Sequence, residues 1–119
     1  MKKIFLIAAL LLVAGFGLQK TVSGADNMLE QGRTIFEANC QICHGQNGKG
    51  DGPAAAVLNP KPADFTKPGF WTSISAKTIA ETIKKGKGQM PPFGMDEANI
   101  QAVIYYLMHT FKPADAPKS

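Results

Sequence analysis

The chain has 119 residues, 45% of them hydrophobic and 18% charged, with a formal net charge of +4. It is one domain at most, too apolar to be disordered and too short to bury a large core unaided. Lys2, Lys3 and Lys20 carry the excess charge; from Ala25 onward ten cations face nine acids, which excludes the basic footprint of a nucleic-acid binder.

The N-terminus has the form of an export signal. Met1-Lys2-Lys3 is the positive start, Ile4 to Leu18 the apolar run, and Val22 and Gly24 supply small residues at −3 and −1 for cleavage before Ala25. A signal peptide over 1–24 and a periplasmic domain over 25–119 are expected. A permanent span is not, because the run falls short of about 20 apolar residues. An uncleaved anchor is the alternative.

Asp26 or Asn27 then N-caps a predicted helix over about 28–39. Its apolar side is Met28/Leu29, Gly32, Ile35/Phe36 and Cys40. Gly32 on that face costs about 1 kcal/mol relative to Ala, which points to another helix crossing closely. The helix runs into Cys40-Gln41-Ile42-Cys43-His44. From Gly45 to Gly69 glycines and prolines dissolve the pattern, apart from a turn or two over Pro53 to Leu58. A loop of this length in a small domain is expected to wrap something. Ser75 caps a helix over 76–85, ended by Gly86 with Lys84 and Lys85 in its last turn. The loop Gly86 to Gly94 carries Met90-Pro91-Pro92-Phe93. Asp96 opens a last helix over 96–111 with the stripe Ile100, Val103/Ile104, Leu107/Met108 and Phe111; Lys112-Pro113 stops it, and 114–119 is a frayed tail. The class is all-α, with three to four helices, long loops and no strand.

The chemistry lies in Cys40-Gln41-Ile42-Cys43-His44, the attachment signature of c-type haem. One helical turn sets the two thiols on the same side, where they form thioethers with the two vinyl groups. His44 then falls beneath the iron as the proximal nitrogen. A Cys40–Cys43 disulfide staples almost nothing. A thioredoxin-like pair expects a preceding strand, and zinc expects four ligands where only His109 is spare. For the second axial position Met90 comes first: glycines let its loop approach the ring, and Pro91 and Pro92 stiffen it. Met95, five residues on, is the second candidate. Met28 and Met108 read as helix packing, and His109 as a helix-end residue.

Several segments carry a family likeness: Gly32 and Phe36 before the motif, Cys40 to Gly45, Gly48-x-Gly50, Gly52-Pro53, Met90-Pro91 and Tyr105-Tyr106-Leu107. Over about Leu29 to Phe111 the chain resembles a bacterial class I monohaem c-type cytochrome. The resemblance implies the small cytochrome c fold, wrapped around one covalent haem c. The first and last helices would cross near Gly32 and Phe36, against Tyr105 or Tyr106. It further implies that the Pro53 carbonyl accepts from the free ring nitrogen of His44, and that the Trp71 indole N–H reaches a haem propionate. The function implied is a monomeric, non-enzymatic one-electron carrier of a respiratory chain. Redox proteins would dock transiently at its haem edge, with Lys84, Lys85 and Lys87 steering them. A non-diffusing subunit of a respiratory complex is the runner-up. A ligand-binding haem enzyme or sensor needs a distal donor, and neither Arg33 nor His109 is placed for that.

Overall fold

A computed structural model describes Gly17 and residues 21–118. The apolar run assigned to an export signal therefore lies outside the described residues, save Gly17. Among the described residues five α-helices follow in order: α1 Gly24–Asn39, α2 Gln41–His44, α3 Pro68–Ser73, α4 Ala76–Lys85 and α5 Glu97–Thr110, with a 3-10 helix over Pro53–Val57 between α2 and α3. No strand occurs among the described residues; Lys87 and Met90 form one isolated antiparallel bridge.

α1 begins earlier than expected. Ser23, not Asp26 or Asn27, is the N-cap: its Oγ accepts from the Asp26 amide at 3.2 Å and donates to Asp26 Oδ2 at 2.8 Å. This reciprocal pair satisfies an otherwise orphaned helix-end N–H. The helix thus runs through the Gly24–Ala25 bond where cleavage was expected. At the other end Cys40 caps α1, and α2 adds a further turn over the cysteine–histidine motif.

α1 crosses α5 at Gly32. A Cβ there would lie 2.7 Å from both the Ala102 carbonyl carbon and Tyr106 Cβ, with the Ala102 oxygen nearer still. Only glycine admits that approach. Phe36, fully buried one turn on, packs against Tyr106 and Phe111 with ring centroids 5.4 and 5.2 Å away. The buried aromatic of the pair is therefore Tyr106. Tyr105 stacks instead on His109 at 3.8 Å.

α4 and α5 match their expected spans within a residue. Ser75 and Asp96 accept from the amides of Thr78 and Asn99. Ile79, Ala80 and Ile83 of α4 and Ile100, Val103, Ile104 and Leu107 of α5 join Phe36 in the core. α3 opens at Pro68 and Gly69, the end of the stretch that reads as loop in the sequence. Pro68 and Gly69 look like loop punctuation, but Pro is well suited to the first helical position. One turn later α3 buries Trp71.

Candidate functional site

The helices and the two long loops enclose a cavity of about 570 Å³, within the range for small-molecule and cofactor sites. Cys40, Cys43, His44 and Met90 all line it, against apolar walls that include Leu58, Phe65, Ile83 and Leu107. The end of α1 and the turn of α2 present the thiols and the imidazole from one side. The loop between α4 and α5 presents the thioether.

Cys40 and Cys43 form no disulfide. Burial, with the neighbouring Cys43 adding to it, pushes the Cys40 thiol up to about 11. A reactive redox cysteine needs the opposite shift, toward thiolate, so a thioredoxin-like role is disfavoured. No cluster of three or more His, Cys, Asp or Glu among the described residues is placed to hold a metal ion.

Burial also lowers the pKa of His44, partly offset by a backbone bond, so the ring is neutral at neutral pH. Its Nδ1 lies 3.1 Å from the Ala63 carbonyl. A carbonyl only accepts, so Nδ1 carries the proton and Nε2 keeps its lone pair for a metal. Phe65 stacks on the ring at 4.6 Å and 19°. A hydrogen bond of this kind fixes tautomer and orientation. The expected acceptor, the Pro53 carbonyl, does not fill this role. Pro53 is exposed at the first residue of the 3-10 helix and off the cavity wall; the chain returns past His44 later, at Pro62-Ala63.

Trp71 is likewise corrected. Its Nε1–H donates to the Phe65 carbonyl at 2.7 Å, buried, and the side chain does not line the cavity. It supports Phe65, and through it the His44 ring. Trp71→Phe should therefore cost about 1–3 kcal/mol by leaving a buried carbonyl without its donor. Thermal denaturation checks this; an unchanged midpoint would contradict it. The charged side chains on the cavity wall are Lys61 and Lys87, with Gln89, Asn39 and Thr82 as neutral polar groups. The Lys87 ammonium suits a haem carboxylate, whereas that of Lys61 donates to the Ala55 and Ala56 carbonyls. Sequence reasoning passed over Lys61, which only its place between Pro60 and Pro62 on a wrapping loop marks out. Of the three lysines expected to steer partners, Lys84 is paired with Glu97 at 2.5 Å.

Met90 is half-buried and lines the cavity together with Gly88, Gln89 and Pro91. Met95 packs on the core without lining the cavity, and Met108 does the same from α5. Met28 is exposed. An apolar cavity lined by two cysteines and a neutral imidazole from one segment and a thioether from another fits a covalently held haem.

Residues 27–107 match the family model described as cytochrome c oxidase, cbb3-type, subunit III. The chain is 32% identical over 108 residues to cytochrome c6 of Cyanidium caldarium, covering 90% of this chain and 92% of that protein. It is 39% identical over 85 residues to the cbb3-type cytochrome c oxidase subunit FixP of Azorhizobium caulinodans, covering 68% of this chain. It spans only about a quarter of the cbb3 subunits it matches, 26% of FixP and 27% of CcoP of Azospirillum brasilense. In fold it is similar to the KustC0563 c-type cytochrome, with a TM-score of 0.60, 22% identity, and coverage of 69% of this chain and 98% of that one.

Proposed function

Because this chain belongs to the monohaem c-type cytochromes, electron carriers with one covalently bound haem c, we propose that it is an exported, freely diffusing one-electron carrier with His44 and Met90 as axial ligands. The haem iron supplies the chemistry, taking up and releasing one electron at a time. The chain's own residues do the rest. Cys40 and Cys43 would tether the ring through thioethers, each thiol adding across one vinyl group. The Ala63 carbonyl holds the Nδ1 proton of His44 and so keeps Nε2 available. Met90 offers a weak sulfur donor, which favours ferrous iron and raises the potential. The apolar walls exclude water. The observation that carries the reading is the convergence of the two thiols, His44 and Met90 on one cavity. Partners would dock transiently where the ring edge meets the surface, with Lys85 and Lys87 favouring an acidic face.

A second reading, a subunit of an oxidase, draws support from the FixP and CcoP likeness. The near full-length match to a cytochrome c6 supports the free carrier. Among the described residues no helix is long and apolar enough to cross a membrane. The full-length gene, expressed in a bacterium with haem-attachment machinery and then fractionated, separates the two. A diffusing carrier gives haem-stained protein in the soluble periplasm, with its N-terminus at Ala25. Haem that stays in the membrane and co-purifies with an oxidase assigns the chain to a complex.

A further inference from the structure

The loop bearing Met90 is held in three ways, and two of them are local. Lys87 and Met90 exchange backbone hydrogen bonds at 2.9 and 3.0 Å, closing a two-residue turn with Gly88 at φ +57° in its first central position. The Phe93 amide donates to the Ile83 carbonyl of α4 at 2.8 Å. The third bond joins the loop to a segment 30 residues earlier: the Asn59 amide donates to Gln89 Oε1 at 2.8 Å. Asn59 begins the stretch Asn59 to Ala63 that ends on the His44 acceptor. That stretch is itself braced, since Lys61 Nζ donates to the Ala55 and Ala56 carbonyls at 2.6 and 3.1 Å.

We propose that Gln89 is a positioning residue: its side chain clips the Met90 loop to the wall that orients His44, and so holds the methionine sulfur against displacement. The inference rests on Met90 being the axial ligand. The turn makes the geometry possible, because Gly88 takes the left-handed conformation and lets the adjacent Gln89 face the Asn59 segment. The local bonds shape the loop but do not fix its distance from that segment; the Gln89 bond does. Its loss leaves the loop folded and the core untouched, and raises the population in which Met90 has swung off the iron.

The test uses the ferric holoprotein and imidazole as the competing ligand. Loss of the far-red sulfur-to-iron band is followed in wild type, Gln89→Leu and Gln89→Glu. Gln89→Leu should speed displacement about 2- to 10-fold, the worth of one exposed neutral hydrogen bond. Gln89→Glu, which keeps an acceptor oxygen, should stay within about twofold of wild type, as a charge-assisted bond replaces the neutral one. The band itself and the thermal midpoint should be unchanged in both. A wild-type rate in Gln89→Leu, or equal acceleration in both variants, overturns the clip alone. A wild-type ferric protein without the band overturns Met90 ligation, and the clip with it.

Discussion

Met90→Ala should convert a closed iron into an open one. The ferric variant loses the far-red sulfur-to-iron band, the ferrous variant binds carbon monoxide, and the reduction potential falls. Removing a thioether that favours ferrous iron should lower the potential by at least about 60 mV, the one-electron equivalent of a tenfold change in equilibrium. The rest of the cavity remains, since the loop's anchors, the backbone bonds at Lys87, Met90 and Phe93 and the Gln89–Asn59 bond, do not use the Met90 side chain. Met95→Ala is the matched control. Met95 packs on the core but does not line the cavity, so its removal should leave the band and the carbon monoxide response as in wild type. If Met95→Ala opens the iron and Met90→Ala does not, the two assignments exchange.

The second large effect is structural. Gly32→Ala should destabilise the holoprotein by about 1–3 kcal/mol, as for an overpacked core. The atoms a Cβ would meet include backbone of Ala102, which cannot rotate away. Relief requires α1 and α5 to move apart, and this loosens Phe36 against Tyr106 and Phe111. For a domain of this size the thermal midpoint should drop by at least about 4 °C. The sulfur-to-iron band should persist, because Gly32, Ala102 and Tyr106 do not line the cavity. An unchanged midpoint would show that the helices accommodate the methyl group and that Gly32 is not required by the crossing.

The contrast between what was legible in the sequence and what was not has physical causes. α4 and α5 could be read closely because their boundaries are set by side chains acting locally: Ser75 and Gly86 for one, Asp96 for the other. α1 starts earlier than its apolar pattern suggests because Ser23, rather than Asp26 or Asn27, supplies the capping oxygen to the Asp26 amide. α3 was hidden because Pro and Gly punctuate loops and open helices alike, and burial of Trp71 decides between them. The haem motif was plain because thioether attachment dictates residue types at fixed spacing.

Around that motif, legibility fell off where backbone atoms or distant pairs act. The partner of His44 is the carbonyl of Ala63, and a carbonyl leaves no mark on side-chain identity. Trp71 carries an indole N–H suited to a propionate, yet the fold gives that proton to the Phe65 carbonyl. Gln89 reaches Asn59 across 30 residues of chain. Such a contact follows from the way two loops face each other, not from either loop's composition.

The central claim is that one covalent haem sits between His44 and Met90 and serves electron transfer. The most direct measurement is the absorption spectrum of the wild-type holoprotein, oxidised and reduced, with carbon monoxide added to the reduced form. The account predicts a ferric sulfur-to-iron band and a reduced spectrum that carbon monoxide leaves unchanged. A ferric spectrum without that band, together with a reduced form that takes up carbon monoxide, would contradict it and assign the cavity to ligand binding at an open iron.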